Sequence, residues 1–371
     1  MLLVFCGGKH HSETVLAGLR QAFGPVCVVG GSAAGAIAFA GSGYSGLEIG
    51  ILAFLDAAIT PTVHLTLDLL RDERAAGYDL GRQVAASAAL DAPVFLMFDS
   101  VASTSPPRLH FASSIVDGFH DGLGDHSVKL AGGGLLTDLN LSDGWVFVGH
   151  EVRKHAALAL VFPSSLSVET VILHGCRPVS SFMEITRIAG AVVYELDHEP
   201  ALAVIERMLG LKIGLAANNN ISLIATLGER QGDPFGPFDE NDYVNRLILT
   251  ANRLDGSVTL FEPDFSLGAK VQIMSRDNAL MLQSVRDGVQ TANRTIAGGD
   301  TLFSLYVDCA GRASAMSGAA TEEAAIVAQT LDRSAPFLGF YSGVEVAPFG
   351  NYSRPLDWTG MLLTLRMHHG E

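Results

Sequence analysis

Apolar and polar positions in this chain follow one order several times over. Residues 2–6, LLVFC, contain no polar side chain and read as a buried strand. Ser12 then stands at a helix-cap position ahead of Val15, Leu16, Leu19 and Phe23, a one-sided stripe that Gly24 and Pro25 stop. VCVV predicts a strand entering a glycine turn at Gly30-Gly31-Ser32, and LEIGILAF predicts another strand. After Ala92-Pro93 the order returns: VFLMF, then a helix with Ile115, Val116, Phe119 and Leu123 closed by Gly124. VKLAGGGLLTDL and HAALALVF follow, mirroring VCVVGGSAAGAI and LEIGILAF. A third, looser copy begins at LFSLYVDCAGR, with a helix around 322–331, then PFLGFYSGVEVAPFG and GMLLTLRMH. A repeat of this length implies internal duplication and is too long and irregular for a thin solenoid. The expected fold is α+β, with layered domains of mixed and antiparallel sheets and helices packed on them.

Other segments complete the pattern. Residues 78–90 have helical character. Residues 171–202 hold two apolar runs, a Gly-Cys-Arg-Pro element and the start of a helix over 200–209, whose inward residues are Leu202, Ile205, Met208 and Leu209. This stretch is expected to be the seam between domains 1–198 and 199–371. Residues 246–277 read as a meander of three strands broken at Asp255-Gly256 and Leu267-Gly268. Residues 232–241 read as a surface loop.

Composition narrows the function. Hydrophobic residues make up 48% and charged residues 17%, which excludes a disordered chain. Forty glycines, punctuating apolar runs singly or in pairs, are expected to sit in strand turns. With 24 Lys+Arg against 39 Asp+Glu, the net charge of −15 disfavours nucleic acid and anionic lipid as partners. The uncharged window 25–47 is rich in Gly and Ser and reads as buried strands rather than a membrane span. Cys6, Cys27, Cys176 and Cys309 are far apart and form no CxxC, which suits a reducing cytoplasm.

Several motif matches fail on context. Gly41 to Gly46 fits GxGxxG but precedes a strand, whereas a dinucleotide fingerprint opens a helix. His150 and His155 are five apart, on different faces of a helix, so this is no HExxH zinc motif; a charged hairpin is expected. His10-His11 and His368-His369 read as solvated pairs. Three places carry possible chemistry. At His174-Gly175-Cys176-Arg177-Pro178 a fixed cation beside Cys176 suggests a reactive thiol, against the plainer reading of a buried Cys with Arg177 pairing Glu195. Asp308-Cys309-Ala310-Gly311-Arg312 ends a strand at a cation, and Tyr341-Ser342-Gly343-Val344-Glu345 brings a phenol and a carboxylate to a turn. Arginines and carboxylates at strand ends suit a pocket for a ligand with ammonium and carboxylate groups. Structural Arg–Glu bridges would use the same residues.

These residues resemble the FIST family, with FIST N and FIST C domains in tandem. The similarity lies in VVGGSAAGAI, LAGGGLLTD, GCRPVSSFMEITRIAGAVVYELDHEPAL, RLILTANRLDGSV, DCAGR and PFLGFYSGVEVAP, and covers nearly the whole chain. The chain departs from the family pattern at Gly35-Ala36 and at Gly343-Val344-Glu345, where Gly-Glu is usual. The resemblance implies a cytoplasmic sensory protein that binds a small ligand and signals to a separate histidine kinase or cyclic-dinucleotide enzyme. On this reading Arg177, Glu195, Arg312, Tyr341 and Glu345 contact ligand. A bacterial branch, the NosP type, binds haem to sense nitric oxide; here His174 is the candidate axial ligand. A thiol-dependent enzyme using Cys176 or Cys309 is the alternative.

Overall fold

The computed structural model describes residues 1–105, 107–210, 212, 225–349 and 352–367; His368-His369 lie outside the described residues. With 25% helix and 42% strand in several mixed sheets, the fold is α+β. The chain forms two compact units. The larger comprises Met1–Ile172, Arg286–Pro355 and Gly360–Glu371; the smaller comprises Leu173–Val285 and Leu356–Thr359. The larger unit takes chain from both sequence segments, 1–198 and 199–371.

Among the described residues the larger unit contains three sheets of five or six strands, each with a parallel strand pair, and a two-stranded antiparallel ribbon, Val101–Thr104 with Pro107–Leu109. Leu2–Gly7 pairs with Val28–Ala33, with helix Ser12–Phe23 between them in sequence. Ala92–Asp99 pairs with Val128–Leu135 around helix Ala112–Leu123. Thr301–Cys309 pairs with Phe337–Ser342 around helix Glu323–Thr330. The register makes the three copies correspond residue by residue. Val4 faces Gly30, Leu96 faces Gly132 and Tyr306 faces Gly339. In each case a Cβ on the glycine would lie too close to the partner carbonyl: 2.1 Å from Val4 O, 1.9 Å from Leu96 O and 2.7 Å from Tyr306 O.

This contact corrects the expected turn at Gly30-Gly31-Ser32: the strand runs straight through these residues. Its glycines permit close backbone approach instead of reversing the chain. Packing follows the copies too. Leu2, Val4 and Cys6 lie with Leu16 and Leu19 of the first helix, and Val94, Leu96 and Phe98 lie with Ile115, Val116 and Phe119 of the second.

Other expectations shift at element ends. Ser12 is the first helical residue rather than the cap, and Phe23 is exposed, since it sits where the stripe leaves the sheet. The helix expected over 78–90 is Glu73–Ala85, started by Asp72, whose carboxylate accepts the Ala75 N–H at 3.0 Å. Apolar spacing alone does not reveal such a polar start. The strand Glu151–Arg153 pairs with Val146–Gly149, so His150 lies in the expected hairpin.

The smaller unit is an eight-stranded sheet carrying helix Ala201–Leu209, which ends at Gly210 in the left-handed conformation. Pro200 caps this helix from outside, and Met208 is exposed while Leu202 and Ile205 are buried. Tyr243–Asn252 and Ser257–Leu260 pair as expected. Lys270–Arg276 leaves the meander to lie between Cys176–Pro178 and Met183–Ala189, and also pairs with Ala225–Arg230.

Candidate functional site

The site lies in the larger unit, where the third strand pair departs from the other two. Cys6 faces Ser32, Phe98 faces Gly134 and Asp308 faces Tyr341, so these three residues occupy one position in the repeat. It is buried in every copy. Two copies fill it with apolar side chains; the third fills it with a carboxylic acid. Two residues earlier, Val4 and Leu96 give way to Tyr306. The third helix answers with Glu323, which is buried at its first position.

Arg312 leaves the short turn Ala310–Arg312 and enters this layer. Its Nε donates to Glu323 Oε1 and Oε2 at 3.1 and 3.0 Å, and its Nη2 donates to Oε1 at 2.8 Å. Tyr306 Oη donates to Glu323 Oε1 at 2.6 Å. Burial opposes the charge on Arg312, but the Glu323 carboxylate outweighs it and keeps the guanidinium protonated. Tyr341 Oη donates to Glu322 Oε1 at 2.9 Å, and its ring meets Tyr44 edge to face, centroids 5.5 Å apart. Ser342 donates its hydroxyl proton to Glu345 Oε1.

Asp308 is the exception in this network. It is 0% exposed, yet among the described residues no hydrogen-bond partner reaches Oδ1 or Oδ2. Arg312 Nε is 3.8 Å away, an ion-pair distance too long for a hydrogen bond. Burial raises the Asp308 acid well above the ordinary carboxylate range, and the nearby Glu323 raises it further while Arg312 opposes both. By contrast Asp99, also buried, accepts the Val101 and His155 N–H groups at 2.9 and 2.8 Å.

Two family models cover almost the entire sequence: FIST N domain over residues 1–199 and FIST C domain over 201–348. The chain belongs to the FIST family. FIST domains are sensory, small-ligand-binding domains. Uncharacterized protein MT0656 of Mycobacterium tuberculosis is 25% identical to this FIST protein over 213 residues, 57% of this chain and 54% of that one. Uncharacterized protein Mb0898c of Mycobacterium bovis is 26% identical over 208 residues, 56% and 52% of the two chains. The chain thus spans about half the length of the curated relatives it matches. Among solved structures, a chorismatase aligns over 98% of this chain and 92% of its own, with 9% identity and a TM-score of 0.32. At that score the likeness carries no inference.

Of the ligand residues expected from the sequence of this FIST protein, Arg312, Tyr341 and Glu345 gather around Asp308 in the larger unit. Arg177 and Glu195 belong to the smaller unit. Arg177 is exposed, and Glu195 contacts Arg187 at 3.3 Å, so the expected Arg177–Glu195 pairing is replaced. Cys176 and Arg177 alternate along a strand, which turns the thiol inward and the cation outward. Neighbours in sequence, they point to opposite faces of the strand. Cys309 is buried as well. His174 is 1% exposed, with Nδ1 2.9 Å from Thr359 Oγ1.

Asp308, Tyr306, Glu322 and Glu323 were not among the ligand residues expected from the sequence. The signal was present: aligning the three copies puts Asp308 at a position the other two keep apolar. A second, partly buried array lies elsewhere in the larger unit. His110 Nδ1 lies 2.9 Å from Glu73 Oε1, and its Nε2 lies 3.2 Å from His155 Nδ1. Among the described residues no three His, Cys, Asp or Glu side chains group as metal ligands. No helix among them is long and apolar enough to cross a membrane.

Proposed function

We propose that this FIST protein is a cytoplasmic signal-input protein that holds a small ligand beneath the third-copy helix of its larger unit. Arg312, Tyr341 and Glu345 contribute to the site together with Asp308, Tyr306, Glu322 and Glu323. Ligand occupancy is passed to a separate histidine kinase or cyclic-dinucleotide enzyme. The linear segments 1–198 and 199–371 are proposed as its inherited halves. One observation carries the reading: a fully buried carboxyl group without a hydrogen bond among the described residues, at a position where the fold has apolar alternatives. Such a group costs stability, and a bound partner is what would satisfy it.

Thermal denaturation against a panel of amino acids, small amines and small carboxylates tests this. At least one compound should raise the melting temperature of the wild type and lose its effect on Asp308→Asn, with Arg177→Ala responding as wild type. A panel with no Asp308-dependent member would end the reading.

Haem is the second reading, with His174 as axial ligand. The Nδ1–Thr359 contact supports it, since an axial imidazole is commonly oriented through its other nitrogen. Burial of His174 weighs against it, because a porphyrin would have to displace packed side chains. Protein purified from haem-supplied cells should show a Soret band that His174→Ala removes; colourless protein that cannot be reconstituted would exclude it.

A further inference from the structure

We propose that Asp308 receives a cationic nitrogen, the primary ammonium of a small ligand. This deepens the small-ligand reading above and rests on it. Several charges face Asp308. They are the carboxylates of Glu323, Glu322 and Glu345 against a single guanidinium, Arg312. That guanidinium makes three close contacts with Glu323, while its Nε stays 3.8 Å from Asp308 Oδ1, too far for a hydrogen bond. A ligand carboxylate brought here would meet four acidic side chains and one engaged cation. An ammonium group would meet the opposite, and its N–H donors match Asp308 oxygens that, among the described residues, accept no hydrogen bond.

A second orphan group lies beside the cluster. Ser100 is buried, and among the described residues its Oγ has no hydrogen-bond partner. It faces the turn that carries Glu345: a Cβ on Gly343 would stand 2.7 Å from this oxygen, and one on Gly134 would stand 2.0 Å from it. A hydroxyl can accept from an ammonium where it has nothing else to accept from. Tyr306 and Tyr341 complete the surroundings, both kept as neutral phenols chiefly by burial. Glu322, only partly buried, extends the negative potential towards the surface, which would guide a cation inward.

The same chemistry could come from an inorganic monovalent cation, and the test separates the two. Wild-type protein is titrated calorimetrically with methylammonium chloride, potassium chloride and sodium acetate at matched ionic strength, in buffers of different ionisation enthalpy. Methylammonium should bind and release a proton from the Asp308 acid, seen as a heat that varies with the buffer. Asp308→Asn, which mimics the neutral acid and keeps the fold, should weaken that binding about 10-fold to 100-fold. Ser100→Ala should weaken it by less.

If potassium binds as well as methylammonium, the site is a plain cation site and the ligand assignment fails. If acetate binds in an Asp308-dependent way while methylammonium does not, the small-ligand reading stands and the cationic assignment fails. If neither probe binds in an Asp308-dependent way, and the panel above is equally silent, both fall.

Discussion

Asp308 stands on its strand where Phe98 stands on the corresponding strand of the preceding copy. Each lies two residues beyond the contact with a glycine of the parallel partner, Tyr306 with Gly339 and Leu96 with Gly132. The same backbone position is thus filled by an aromatic ring in one copy and a carboxyl group in another. A duplicated fold supplies its own control, because the sheet does not require an acid there.

The two acids of this layer are expected to respond oppositely to neutralisation. Glu323→Gln removes the carboxylate that makes three close contacts with the buried Arg312 side chain, and should destabilise by about 3–5 kcal/mol. Asp308→Asn removes a carboxyl that has no hydrogen bond to lose and should leave stability unchanged or improved. Urea denaturation of both variants measures this; equal losses would refute the assignment.

The pH dependence follows from the direction of the Asp308 shift. Its folded-state acid is raised, so above the ordinary carboxylate range the folded protein holds a proton that the unfolded chain has released. Stability should therefore fall as pH rises, by up to about 1.4 kcal/mol per pH unit from this group. Asp308→Asn should remove that slope. Asp357, pushed up to about 6 by burial, adds a loss of the same sign that ends near that pH. Asp357→Asn should flatten the acid side of the profile only. Denaturant midpoints from pH 4 to 8 distinguish the two.

The glycine contacts between parallel strands predict graded damage. Gly132→Ala places a methyl group 1.9 Å from Leu96 O, whereas Gly339→Ala places one 2.7 Å from Tyr306 O. Both should destabilise, by about 1–3 kcal/mol, with Gly132→Ala the worse. Thermal unfolding of the two variants gives the order, and a reversal would break the correspondence between copies.

His155 should titrate below the ordinary imidazole range, because burial disfavours its charge more than Asp99 favours it. Proton NMR of the imidazole signals, assigned with His155→Gln, reads the midpoint directly. A midpoint above that of an exposed histidine would show that the carboxylate dominates.

Much of the fold was legible in the chain. The copies, their strands and the second and third helices follow from local apolar periodicity, which depends only on neighbours a few residues apart. The glycine-rich runs misled for a physical reason: glycine serves both chain reversal and close backbone approach, and only the partner strand tells them apart. Arg177 and Cys176 misled in a similar way, since strand alternation sends adjacent residues to opposite faces.

The sequence by itself determined the repeating units, the α+β class and the family. Tertiary structure decided which charged residues share a space. Arg312 meets Glu323 because a turn and a helix start are brought under one sheet, and among the described residues nothing comes within hydrogen-bond distance of the Asp308 carboxyl. Hydrogen bonds act over about 3 Å between groups far apart in sequence, so their pairing is set by packing and cannot be read from spacing.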